Sequence, residues 1–123
     1  MSHRFVWVDI PVLDLDRAIA FYAAVLGTPV TREGGPGFTF GLLAHSGSDV
    51  AGCLYLADGD NAPSPRGLLV YLSVEGRIVD AERAVAAGGG RILKSTHAIA
   101  PHGFRAIVLD SEGNRIALHS GTR

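Results

Sequence analysis

The stretch from Phe5 to Val12, FVWVDIPV, concentrates β-branched and aromatic residues, which favours a strand, and Pro11 is tolerated near its end. Asp14 then stands where a helix cap belongs. In LDRAIAFYAAVLG the apolar residues Ile19, Tyr22, Val25 and Leu26 fall at helical spacing, and Gly27 suits a left-handed C-terminal cap. Short apolar runs around Pro29 to Arg32, Phe38 to Ala44 and Val50 to Ala57 follow, divided by GGPG and HSGSD; they read as three strands joined by turns. The first part of the chain is therefore βαβββ.

Asp58 to Gly67, DGDNAPSPRG, is the one clear linker, dense in turn-forming and polar residues. The pattern then starts again. LLVYLSV from Leu68 to Val74 is a strand, and Arg77 to Ala87 is a helix with Ile78, Ala81 and Val85 on one stripe, ended by Gly88 to Gly90. Arg91 to Ile99, Phe104 to Leu109 and Arg115 to His119 are strands, with DSEGN as the last hairpin turn. One constant offset sets Val74 on Val12, Gly89 on Gly27 and Ile92 on Val30. We expect an α+β domain of two βαβββ modules, residues 1–57 and 68–120, joined by the linker 58–67, with helices near residues 14–26 and 77–87.

Composition adds bounds. A chain of 123 residues carries one sizeable core, and 47% hydrophobic against 19% charged residues gives no case for disorder. A formal net charge of -1 with interspersed signs offers phosphates no basic face, so neither nucleic acid nor a membrane surface is an expected partner. The single Cys53 excludes an intrachain disulfide and reads as a small buried hydrophobe. With no leader-like or membrane-spanning apolar run, a soluble cytoplasmic protein is the expectation. GGPG is a turn and AGGG a helix end rather than phosphate cradles, since neither leads a strand into a helix.

Three segments carry a resemblance: IPVLDLDRAIAFYAAVLG, VEGRIVDAERAVAAGGGRI and DSEGNRIALHS. In this order, with the linker between them, they resemble the vicinal oxygen chelate superfamily, which comprises glyoxalases, bleomycin-resistance proteins and extradiol dioxygenases. The resemblance implies two modules whose curved sheets form a half-open barrel holding a ligand, and it points to a homodimer. Membership does not choose the chemistry.

In metal-using members, the resemblance implies, each module supplies two ligands from its first and last strands. The corresponding positions here are Trp7, Leu69 and Ala117, with a fourth on the strand Val50 to Tyr55 where only Cys53 has a donor atom. Indole nitrogen has no lone pair to give, and Leu and Ala have no donors, so the zinc requirement for three protein ligands is not met. A two-residue slip along the strands selects Asp9, Tyr71 and His119 instead. That slipped set leaves a metal-dependent lyase, isomerase or dioxygenase open as the alternative. The leading expectation is a cofactor-free, metal-free protein that binds a small polar or aromatic molecule.

Strand alternation puts Trp7 with Asp9, Tyr71 with Ser73, and Ala117 with His119 on common faces. Trp7, Asp9, Tyr71 and His119, with His102 from the THAIAPHG loop, are the expected ligand-binding residues. Asp9 or His119 also has the chemistry to take a proton from beside a carbonyl, so catalysis stays open. Each residue has a plainer role as well: Trp7 as core, Asp9 as a structural partner of Tyr71 or of backbone, His119 as a solvent-exposed residue near the chain end. His97 and His102 fit equally an exposed loop; His3 and His45 fit the surface.

Overall fold

A computed structural model describes residues 4–47 and 49–123. Along the chain lie β1 (Trp7–Val12), α1 (Leu15–Leu26), β2 (Val30–Gly35), β3 (Phe38–Leu43), β4 (Ala51–Leu56), β5 (Val70–Ser73), α2 (Ile78–Ala87), β6 (Arg91–Ala98), β7 (Phe104–Leu109) and β8 (Arg115–Ser120). The two expected βαβββ units are present. Each makes its own four-stranded sheet, ordered β1-β4-β3-β2 and β5-β8-β7-β6. In each sheet the first strand pairs parallel to the last, and the remaining pairs are antiparallel. The sheets do not close on one another.

Both helices cover one face of their sheet and pack against each other, so a single core serves both modules. Ile10, Val12 and Leu54 of the first sheet, and Ile116, Leu118 and Val108 of the second, point into it. Phe21, Tyr22, Val25, Ile78 and Val85 meet them from the helices. Asp14 caps α1 by accepting the Arg17 amide at 3.1 Å, and Gly27 ends the helix at φ 70. Gly41 lets α1 approach closely, because a Cβ there would stand 2.9 Å from Ile19.

Two details differ from expectation. Phe5, Val6 and Leu68 lie outside the strands, 80%, 72% and 94% exposed. Their partner strands explain this: β4 begins at Ala51 opposite Trp7, and β5 begins opposite Ile116, leaving the residues before them no ladder to join. The internal repeat also slips by one residue within the helices. Leu15, Ala18 and Tyr22 on α1 correspond to Ile78, Ala81 and Val85 on α2, one step beyond the offset relating Val12 to Val74. An extra residue in the turn before α2, which includes Gly76 at φ 76, takes up the difference. The helix α2 is two residues shorter than α1 and ends at Gly88 with φ -91, so the positive φ falls on Gly89, which stands at the same offset from Gly27 as Val74 from Val12.

The closing turn, DSEGN, ties the modules together. Asp110 accepts the Glu112 and Asn114 amides, each at 2.8 Å, which shapes the turn. Its other oxygen accepts the buried Tyr22 hydroxyl at 2.5 Å, and Asn114 Nδ2 donates to the Pro11 carbonyl at 2.8 Å. Such pairing is what burial demands of polar groups. Among the described residues no helix is long and apolar enough to cross a membrane.

Candidate functional site

With helices on one face, each sheet turns alternate strand residues to the other: Trp7, Asp9, Cys53 and Tyr55 with Phe40 and Leu42 on the first, Tyr71, Ser73, Arg105 and His119 on the second. On the first sheet Asp9 stands beside Cys53, and Leu42 beside Cys53 on the far side, while Tyr55 neighbours Phe40. Trp7 and Asp9, two residues apart, share this face, and the indole Nε1 donates to Asp9 Oδ1 at 2.7 Å. The Cys53 thiol donates to the same oxygen at 3.4 Å. Phe38 and Phe40 stack with centroids 6.3 Å apart and planes 4° from parallel. Asp9, Phe38, Phe40, Cys53 and Tyr55 border a cavity of about 390 Å³ with Asp9 as its only charged wall. Among the described residues no Arg or Lys forms an ion pair with Asp9. Burial first, and then the hydrogen bond and negative charge of Asp9, push the Cys53 thiol up to about 11, which keeps it protonated and unreactive at neutral pH.

On the second sheet a row crosses all four strands: Ser73 pairs with His119, His119 with Arg105, and Arg105 with His97. The last pairing depends on two register shifts in β6, between Ile92 and Lys94 and between Lys94 and His97. Without those extra residues Ser95 would oppose Arg105. Arg105 donates from Nε to His97 Nε2 at 3.0 Å and from Nη1 across β8 to the Tyr71 hydroxyl at 2.5 Å. His97 Nδ1 lies 2.9 Å from the Ser95 carbonyl, which only accepts, so Nδ1 carries the proton and Nε2 offers its lone pair to Arg105. The same logic fixes His119: Nε2, 2.6 Å from the His102 carbonyl, is the donor, leaving Nδ1 as an acceptor without a partner among the described residues. The Tyr71 and His119 rings lie 6.4 Å apart at 55°.

The expected site residues thus fall into two groups. Trp7 and Asp9 are joined on one sheet; Tyr71, His119 and the His102 backbone are neighbours on the other. The Asp9–Tyr71 pairing considered from sequence is not made, because Asp9 is engaged by Trp7 and Cys53 and Tyr71 by Arg105. Trp7 is not core: it is 45% exposed, as is Tyr71. His119 is half-buried, and His102 and His45 are exposed, while His3 lies outside the described residues. Between the groups run the facing edges of β1 and β5, flanking cavities of about 340 Å³ and 290 Å³. Tyr71 borders the first cavity and Asp9 the second.

Arg105 and His97 were not singled out in sequence as a pair. The available signal was one arginine inside the otherwise apolar strand FRAIVL, on the face that the DSEGN hairpin aligns with His119.

Metal ligation fits these residues poorly. Trp7, Leu69 and Ala117 hold no donor with a lone pair to share. Of the slipped set, Asp9 belongs to one sheet, Tyr71 faces a guanidinium, and His119 has committed Nε2 to a carbonyl. Among the described residues no three His, Cys, Asp or Glu side chains are grouped to hold an ion.

A family model described as Glyoxalase/Bleomycin resistance protein/Dioxygenase superfamily matches residues 4–118, and the chain belongs to that superfamily. Among solved structures, it is similar to a glyoxalase/bleomycin resistance protein from Albidiferax ferrireducens, at 20% identity and TM-score 0.74 over 96% of this chain and 98% of that one. A glyoxalase-related enzyme from Fulvimarina pelagi aligns at 17% identity and TM-score 0.68, covering 97% and 88% of the two chains. The trypanothione-dependent glyoxalase I of Leishmania major aligns at 23% identity and TM-score 0.65, covering 98% and 88%. At these identities the likeness establishes the fold alone. The sequence matches no curated protein.

Proposed function

We propose that this protein binds a small polar or aromatic molecule on the helix-free faces of its sheets without using a metal. The observation that carries this reading is Asp9 on the wall of the cavity of about 390 Å³, a carboxylate with no cationic partner among the described residues, held by the exposed indole of Trp7, the position where the superfamily resemblance implies a metal ligand. Aromatic walls with a few convergent polar groups are the usual make-up of a ligand site. Trp7 and Tyr71 supply planar surface, Asp9 and His119 hydrogen bonding, and His102 borders the second group through its carbonyl.

The same reading places the protein in the cytoplasm as a homodimer. The exposed side chains of Phe5, Val6 and Leu68 and the open sheet edges favour self-association. A monomer mass by light scattering at micromolar concentration counts against the dimer.

Trp7 is the only tryptophan, so its emission reports on the site directly. A panel of small aromatic acids, amines, phenols and neutral compounds is expected to contain ligands that shift this emission, with Asp9→Asn weakening binding by about 1 to 3 kcal/mol where a charged hydrogen bond is lost. A panel that neither moves the emission nor raises the melting temperature overturns the proposal.

A further inference from the structure

We propose that the helix-free face of the second sheet is an anion subsite, in which Arg105, positioned by His97 and Tyr71, takes the carboxylate or phosphate group of the ligand. The inference rests on the small-molecule reading above and names the ligand's charge class.

Arg105 is half-buried and held by two side-chain hydrogen bonds, Nε to His97 and Nη1 to Tyr71. Both partners are uncharged groups that fix the guanidinium plane without neutralising it. Two of the five N–H donors of a guanidinium are used, and three stay available. The second module contains five acidic residues, and each is engaged elsewhere. Glu75 accepts the Gly121 amide, Asp80 pairs with Arg83, and Glu82 takes the Thr96 amide and hydroxyl. Asp110 holds Tyr22 and the closing turn, and Glu112 pairs with Arg17. Arg105 is therefore a preorganised cation whose own module supplies no carboxylate.

A planar fork with free donors fits a carboxylate or phosphate two-pronged, and fixing it beforehand lowers the ordering cost of binding. Across the row, Ser73 accepts the Glu75 amide at 3.4 Å and keeps its own hydroxyl hydrogen, and His119 Nδ1 offers a lone pair to a ligand hydroxyl. The first sheet has the opposite character, with Asp9 amid aromatic rings, so charge separates the two faces.

The test follows the Arg105 Nε–H resonance in ¹⁵N-labelled protein, assigned by its absence in Arg105→Lys. Benzoate and phenyl phosphate are the anionic probes, with benzylamine and benzyl alcohol as cationic and neutral controls. Either anion is expected to shift that resonance saturably, and the tighter of the two identifies the group the site takes. Arg105→Gln is expected to weaken binding about tenfold or more, with an unchanged melting temperature. His97→Phe should weaken binding severalfold by freeing the fork, and His97→Gln, which restores an acceptor, should recover it. Neither anion moving the resonance overturns the inference, as does binding that Arg105→Gln leaves unchanged. If the fluorescence panel meanwhile yields a cationic or neutral ligand, the small-molecule reading survives; if it yields none, both fall.

Discussion

Arg17 of the first module and Glu112 of the second form a two-pronged ion pair, Nε to Oε2 at 2.7 Å and Nη2 to Oε1 at 2.8 Å. Glu112 has no side-chain exposure, and it also accepts the amides of Leu13 and Asp14 at the start of α1. At the other end of α1, Arg77 donates to the Val25 carbonyl at 2.5 Å. A carboxylate at the N-terminus and a guanidinium at the C-terminus both complement the helix dipole, and both come from the second module. Beyond its own caps Asp14 and Gly27, the helix of one module is thus held at both ends by the other.

This arrangement makes a pH prediction. Burial alone would push Glu112 up, but hydrogen bonds from Arg17, Ser111, Asp14 and Leu13 outweigh it and bring its pKa from 4.5 down to about 2. A carboxyl depressed in the folded state stabilises fully above its unfolded pKa and loses that contribution as pH falls through its folded one. The loss should run between about pH 4.5 and pH 2. Urea midpoints measured from pH 7 downward should show it, and Glu112→Gln should start less stable and fall less steeply. Parallel acid profiles for the two proteins would refute the latch.

Tyr22 gives the corresponding alkaline prediction. Burial first, then the Asp110 carboxylate, raises its pKa well above 10. The neutral phenol is the stable folded form, so its contribution is intact below the unfolded pKa and lost as pH rises past it. Ultraviolet titration should show Tyr22 ionising only as the protein unfolds. Tyr22→Phe should cost about 1 to 3 kcal/mol, because it removes a hydrogen bond to a buried carboxylate. A smooth titration of all tyrosines in folded protein would contradict this.

The elements were legible in the sequence because their signals are local. Asp14 and Gly27 bracket α1, and alternation places Trp7 with Asp9. What escaped depends on contacts distant along the chain. DSEGN reads as a turn, and nothing within it reveals that Glu112 would cap a helix 98 residues away in sequence. The bulges in β6 carry no glycine or proline to announce them, so the meeting of His97 with Arg105 was not readable. Trp7 was open to reading as core because hydrophobicity signals burial on average, whereas the edge strand it occupies leaves it half exposed.

Cys53 should resist thiol reagents. Its pKa of about 11 leaves little thiolate at pH 8, and the residue is only 7% exposed. Asp9→Asn removes the negative charge beside it and should speed labelling by Ellman's reagent severalfold. Rapid labelling of the wild-type protein under native conditions would show that the face around Asp9 opens to the reagent and that Cys53 is not held as a buried thiol.

Metal should contribute little to stability. Specific binding to the native state raises the melting temperature by linkage, so a genuine site would appear as a chelator-sensitive shift. The donor set argues against one: Asp9 Oδ1 already accepts from Trp7 and Cys53, Tyr71 lies against the Arg105 guanidinium, and a cation beside that charge would be repelled. His119 could offer only Nδ1 without giving up the His102 carbonyl. The expected result is a melting temperature unchanged within about a degree by chelator or by stoichiometric zinc, since a specific site at a hundredfold excess over Kd would add about 2.7 kcal/mol. A large zinc-induced rise that vanishes in both Asp9→Ala and His119→Ala would show that the two groups converge on an ion after all, and would favour the metal-dependent chemistry over the binding role.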